Sequence, residues 1–450
     1  MERFHSYVDA NRARFLEGLK TLCGQPSIAA QGVGVRETAQ LVLQMLEALG
    51  ADARLIEIPG AAPVVYGELG DGERTLIIYD HYDVQPPEPL EQWESEPFTP
   101  EIRDGFLYCR GAADNKGDLA ARLQALEAYQ ATRGSIPLRI KFVFEGEEEV
   151  GSPHLADFVG QNTRLLVGAD GCLWEGGRMD MSGRPELYLG LKGILYVELR
   201  ARGASQDMHS SFAPLAPNPA WRLVWALNTL KDERERITID GLMDYVRLPS
   251  SADLELVEKI PFEDEKILED LDIPEFLGGV TGADAVRQLL YSPTCTICGM
   301  VAGYTGEGSK TVLPSEASVK LDFRLVPDLD PDLVLDLLRK HLDRRGFEDV
   351  EVVRVSGEHP ARSPFEAPVV QAAIQAAKIT YGQEPVVYPT MAGSGPMYPL
   401  STALGIPAVS GLGVGHARSR IHAPNENIRL EDYFQCIKFT GEFIRIFSEM

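Results

Sequence analysis

Three short apolar runs rich in β-branched and aromatic residues, TLIIY (75–79), LRIKFVF (138–144) and RLLVG (164–168), constrain the fold of this chain more than any other feature. Between the first two lies GDLAARLQALEAYQ (117–130), whose apolar residues recur at helical spacing. Strand-like runs alternating with helix-like ones indicate an α/β domain with a largely parallel sheet. In such sheets ligands sit where the loops leave the carboxyl ends of the strands.

Those positions carry an unusual set of side chains. TLIIY is followed by Asp80-His81-Tyr82-Asp83, and Asp114 precedes the helix that begins near Asp118. LRIKFVF runs into EGEEEVGS (145–152), with Glu147, Glu148 and Glu149 in a row, and RLLVG runs into Ala169-Asp170. Near the C-terminus IPAVSGLGVG, a strand and a Gly-rich loop, leads to His416 and then to His422 in IHAPNENI. The reactive layer is therefore divided between the two ends of the chain.

A length of 450 residues exceeds what one hydrophobic core normally serves, so two domains are expected. Between residues 188 and 360 the pattern changes. Alternating strands LYVELRARG and ASVKLDFRLVP flank amphipathic segments WRLVWALNTL and LVLDLLRKHLDRRG, with an acidic, partly helical section at 252–277. This reads as an α+β domain, residues 188–362, inserted into a discontinuous catalytic domain of residues 1–187 and 363–450. The Pro- and Gly-containing stretch GEHPARSPFEAP marks the return crossing.

A formal charge of −24 disfavours nucleic acid and anionic membrane surfaces as partners and is compatible with binding cations. No apolar run approaches the ~18 residues of a membrane span. The N-terminal segment reads as an amphipathic helix and not a signal peptide, which gives an expectation of a cytoplasmic protein. The six cysteines are scattered, and the single CxxC pair Cys295–Cys298 lacks a second pair or a nearby histidine. They read as ordinary reduced thiols.

Histidine and carboxylate ligands without thiolates suit Zn²⁺, Mn²⁺ or Co²⁺. A hydrolytic pair of such ions needs one bridging carboxylate and about two further ligands apiece. His81, Asp114, Glu149, Asp170 and His422 supply that number. Two ions carry four positive charges, and three carboxylates with one hydroxide carry four negative, which neutralises a half-buried site. The same ions would offset the repulsion within the Glu run, one glutamate ligating while its neighbour takes a proton from water. Asp83, two residues after His81, fits a carboxylate that fixes the imidazole tautomer.

The stretches HYDVQPPEP, GFLYCRGAADNKG, EGEEEVGS, GADG, DMHSS, YTGEGSKTVLP, DFRLVP, AGSGPMYP and IHAPNENI resemble the di-zinc aminoacylase, carboxypeptidase and dipeptidase superfamily. They are most similar to its carnosinase-type, cytosolic non-specific dipeptidase branch, over nearly the whole chain. The resemblance implies that His81, Asp114 and Asp170 hold one ion and Asp114, Glu149 and His422 the other, with Glu148 as general base and Asp83 supporting the histidine. It implies that the inserted domain is a lid and dimerisation domain, so that the protein is a homodimer. His209 would then reach the partner's site to stabilise the oxyanion, Arg324 would grip the substrate carboxylate, and Thr311 and Ser394 would contact substrate.

Three motifs depart from the branch: Ala392-Gly393-Ser394 stands for Gly-Gly-Ser, DMHSS for a commoner His-Ser-Gly, and GADGCLWEGG diverges after its aspartate. The expectation is a hydrolase with two divalent ions per subunit, Zn²⁺ first, acting on dipeptides or small peptides with a free C-terminal carboxylate. A deacylase of N-acyl or N-carbamoyl amino acids is the alternative, and a non-catalytic metal-binding scaffold the more remote one.

Overall fold

The computed structural model describes residues 1–450 and divides into two compact units. The first comprises Met1–Gly190, Arg362–Pro389 and Pro396–Met450; the second comprises Leu191–Ala361 and Thr390–Gly395. Thr390–Gly395 belongs to the second unit although the sequence reading kept it in the first. Its backbone explains this, because the carbonyls of Met391 and Gly393 accept the Lys192 N–H, and Ser394 Oγ donates to the carbonyl of Gly193.

The first unit is built on a six-stranded sheet in the order Asp52–Ile56, Val64–Leu69, Arg139–Glu145, Thr75–His81, Gly171–Leu173, Ala408–Val409. The last four strands are parallel, and the first two form an antiparallel hairpin on one edge. Every residue of Thr75–His81 is buried, as expected of a central strand covered on both faces. Thr75 pairs with Arg139 and His81 with Glu145, so the Asp-His-Tyr-Asp and Glu-rich segments leave the sheet together at the carboxyl end of its strands.

The helix Lys116–Arg133 is buried through most of its length among the helices Glu2–Ala10, Arg12–Gly24 and Leu430–Glu449. Its Arg122, fully buried, donates to Asp80 Oδ1 (2.8 Å), to the carbonyl of Tyr79 (2.9 Å) and to that of Trp174 (2.8 Å). One guanidinium thus ties together the carboxyl ends of two strands. The rings of Tyr79 and Trp174 stack beside it, centroids 3.7 Å apart.

The start of this helix leaves no room at Gly117, where an added Cβ would lie 2.1 Å from the Ala112 carbonyl oxygen and 2.7 Å from Val414. Backbone cannot yield as a flexible side chain can. Gly117→Ala is therefore expected to lower Tm by about 2–5 °C in a thermal melt, the size expected for overpacking by ~1–3 kcal/mol in a unit this large. An unchanged Tm would show that the 112–117 turn relaxes freely.

In the second unit four antiparallel strands run in the order Thr296–Ala302, Glu316–Leu325, Gly193–Arg202, Glu351–Glu358. Gly193–Arg202 and Glu316–Leu325 alternate buried and open residues with the period of two that a sheet with one covered face requires. Their inward residues, among them Leu195, Val197, Val319 and Phe323, pack with the helices Pro219–Leu227 and Pro331–Arg344 into one core. Both helices start with proline behind a side-chain cap, Asn218 and Asp330 respectively. No helix is long and apolar enough to cross a membrane. All six cysteines are free, Cys298 alone being exposed.

Candidate functional site

His81 is the last residue of its strand and is almost fully buried. Its Nδ1 lies 3.1 Å from the carbonyl oxygen of Asp83 and 3.3 Å from Asp83 Oδ1, both acceptors, so Nδ1 carries the proton and Nε2 faces the cluster. There Nε2 lies 3.1 Å from Asp114 Oδ1 and 3.1 Å from Glu175 Oε2. The other Asp114 oxygen, Oδ2, lies 3.1 Å from His422 Nε2, which is 3.0 Å from Glu149 Oε2.

Asp114 therefore shows one oxygen to each of two groups, His81 with Glu175 and His422 with Glu149. Ligand atoms ~2.0–2.1 Å from one tetrahedral ion lie ~3.3 Å from each other, close to these separations. The donor set consists only of imidazole nitrogen and carboxylate oxygen, which suits Zn²⁺, Mn²⁺ or Co²⁺. Glu148 is near enough for its carboxylate, Glu175 and His81 to have ligand atoms within 4.8 Å of one another.

The electrostatics ask for cations. Burial pushes Glu148 up to about 8; His81 pulls against this, while Asp114, Glu149 and Glu145 add to it. Burial likewise holds Glu175 well above the carboxylate range, opposed by His81 and reinforced by Glu148 and Asp114. Burial alone would lower His81, but Glu175, Asp114, Asp83 and Glu148 outweigh it and hold the imidazole well above its ordinary value. Hydrogen bonds to Asp114 and Glu149 raise His422 to about 10. Carboxylates crowded this closely are costly unless positive charge offsets them, and divalent ions held by these residues would supply it.

The supporting contacts are specific. Asp83, completely buried, accepts the backbone N–H of Glu148 at Oδ1 (3.2 Å) and of Glu149 at Oδ2 (3.1 Å). One carboxylate therefore orients His81 and also fixes the short 3-10 turn Glu148–Val150 that carries the two glutamates. Of the Glu run, Glu147 turns away to pair with His154 Nδ1 at 2.8 Å, while Glu148 and Glu149 face the cluster. His422 sits in a loop where it, Arg420 and Asn425 all have left-handed backbone (φ 60°, 56° and 64°), strained for such residues and typical of functional loops.

Asp170 does not join this cluster. Its Oδ2 accepts the Thr75 N–H (2.7 Å) and its own N–H donates to the Thr75 carbonyl (2.9 Å), which places it at the amino ends of the strands. Thr75 and His81 are the two ends of one strand, ~20 Å apart at ~3.3 Å per residue. The sequence reading took RLLVG for a strand, but Arg164-Leu165-Leu166 closes the helix Leu155–Leu166, and the strand is Gly171–Leu173. The residue that leaves its carboxyl end toward His81 is Glu175. The signal for it was the apolar trio Cys172-Leu173-Trp174 directly before an acid, inside the divergent GADGCLWEGG.

Sequence reasoning also missed Asn115, whose Nδ2 donates to Asp80 Oδ1 (2.9 Å) and reaches Glu175 Oε2 (3.4 Å), and the buried Glu426. His416 stays out of the cluster, its Nε2 lying 3.0 Å from Asn427 Oδ1.

The remaining named residues belong to the second unit. His209 Nε2 lies 3.3 Å from Thr311 Oγ1, and its Nδ1 accepts the Ser211 N–H at 3.2 Å. Arg324 Nη1 donates to Ser394 Oγ at 3.0 Å. Burial, with the charge of Arg324 adding to it, lowers Lys192 nearby to about 8. His209 with Thr311 and Arg324 with Ser394 thus form two exposed or half-exposed pairs on this unit.

A model of peptidase family M20/M25/M40 matches residues 77–446. The chain is 28% identical to a Beta-Ala-His dipeptidase of Mus musculus, over 98% of this chain and 94% of that protein. It is 27% identical to a Cys-Gly metallodipeptidase of Schizosaccharomyces pombe, over 76% of each. Among solved structures it is similar to an M20 family metallo-carboxypeptidase from Sulfolobus solfataricus, with TM-score 0.91 and 41% identity, covering 97% of this chain and 99% of that one.

Proposed function

The chain belongs to peptidase family M20/M25/M40 and is a metallopeptidase, and from that premise we propose that it hydrolyses dipeptides and small peptides with a free C-terminal carboxylate. The observation that carries the reading is Asp114, whose two oxygens each stand 3.1 Å from a different histidine, His81 and His422. Relatives matched over three quarters or more of the chain cleave dipeptides by name, and the similar Sulfolobus structure is a carboxypeptidase. Both activities release a C-terminal residue.

His81, Asp114 and Glu175 would hold one divalent ion, and Asp114, Glu149 and His422 the other. When bound, the ions supply Lewis acidity at the scissile carbonyl and acidify a water. Glu148 takes the proton of the attacking water and delivers it to the leaving amine. Asp83 keeps His81 in the tautomer that turns Nε2 inward. We assign Arg324, with Ser394, to the substrate carboxylate, and Thr311 to substrate contact; Arg324 offers the fork of donors that such an anion takes up best. His209 acting on the partner's substrate, a homodimer formed through the second unit, and cytoplasmic residence are parts of the same proposal.

The test is hydrolysis of a dipeptide panel, with longer peptides and N-acetyl and N-carbamoyl amino acids beside it, by chelator-stripped protein with Zn²⁺, Mn²⁺ or Co²⁺ restored. Stripped protein is expected to be inactive, and at least one added ion should restore dipeptide cleavage. Restored cleavage of acyl substrates alone would move the activity to a deacylase with the same site.

A further inference from the structure

Glu426 follows His422 by four residues and is completely buried. Its carboxylate is saturated by a single stretch of chain, residues 110–114, through three backbone N–H groups and one guanidinium. Oε1 accepts the N–H of Ala113 (2.8 Å) and of Asp114 (3.0 Å), and Oε2 accepts the N–H of Gly111 (3.0 Å) and Arg110 Nη1 (2.7 Å). Its own carbonyl accepts the Cys109 N–H at 3.1 Å. Arg110 is anchored in turn by donating to the carbonyl of Pro86 (3.2 Å). The irregular turn that presents Asp114 thus has most of its N–H groups satisfied by one side chain 312 residues away.

We propose that Glu426 is a positioning residue that locks the Asp114 turn to the His422 segment and so sets the separation of the two halves of the cluster. The proposal rests on the dinuclear reading above. The geometry needs such a lock: Asp114 must keep Oδ1 3.1 Å from His81, which is fixed to the sheet, while keeping Oδ2 3.1 Å from His422, which is on a strained loop. Nothing in the local sequence of either segment defines that distance. A carboxylate is required because all four groups facing it are donors; the amide of glutamine would set its own N–H against those of Gly111 and Arg110.

The experiment is a titration of the chelator-stripped chain with Co²⁺, followed by calorimetry and visible absorption. Wild type is expected to take up two ions. Glu426→Gln should keep the first and bind the second about 10- to 100-fold more weakly, the range seen when partners that orient ligands are removed, with the apo melting temperature lowered because the buried Arg110 loses its charge partner. If Glu426→Gln fails to fold, Glu426→Asp, which keeps the charge beside Arg110 but draws the acceptors back by one methylene, is expected to show the same split. Two ions bound with wild-type affinities in the folded variant would overturn the role of Glu426 and leave the dinuclear reading intact. Fewer than two ions in wild type would overturn the dinuclear reading itself.

Discussion

Glu148→Gln should leave the metal content, the melting temperature and KM near wild type while kcat on a dipeptide falls by about 10³-fold, within the range lost with a general base. The glutamine keeps the shape of the side chain on the Glu148–Val150 turn, and the backbone bond to Asp83 does not involve the side chain. It cannot accept a proton. Glu148 lies beside both His81 and Glu175 yet belongs to neither contact pair around Asp114, which suits a residue that acts on water and not on the ions. A variant turning over within tenfold of wild type would remove Glu148 from the mechanism.

The second large effect separates two acids five residues apart in sequence. Glu175→Gln should weaken one of the two ions by more than about 100-fold, since loss of mere supporting partners already costs 10- to 100-fold, and turnover should fall accordingly. Asp170→Asn should bind both ions and turn over within about twofold of wild type, because the amide oxygen of asparagine can still accept the Thr75 N–H, a bond worth ~1 kcal/mol. Metal analysis of the two purified variants decides the matter. A metal-deficient Asp170→Asn beside a normal Glu175→Gln would return the ligand role to Asp170.

These two acids show where a linear reading stops. His81 and the Glu run were legible because each directly follows a buried strand, and a continuous apolar run ending in charged residues marks a strand's carboxyl end. RLLVG was misread because a short apolar run fits a buried strand and the last turn of an amphipathic helix equally well. The helix Leu155–Leu166 ends inside it, and the strand that follows has only three residues. The error of a few residues in one boundary moved a carboxylate from one end of the sheet to the other.

Asp83 was legible as a partner of His81 from its spacing, but its grip on the Glu148 and Glu149 amides was not, since that depends on the parallel pairing of His81 with Glu145. Arg324 and Ser394 were named separately by motif, and their 3.0 Å contact follows from Thr390–Gly395 packing with the second unit.

By itself the sequence determined the kinds of chemistry available: an alternating pattern that makes a parallel sheet, and an inventory of histidines and carboxylates with no thiolates among them to hold hard or borderline cations. Those are local properties, fixed by periodicity and residue type over a handful of positions. Only the tertiary structure decided which acid completes the His81 half, Glu175 in place of Asp170, and which buried carboxylate, Glu426, secures the Asp114 turn. Both depend on register between segments far apart in the chain, where a shift of one residue reverses the facing side and no short-range pattern records the distance.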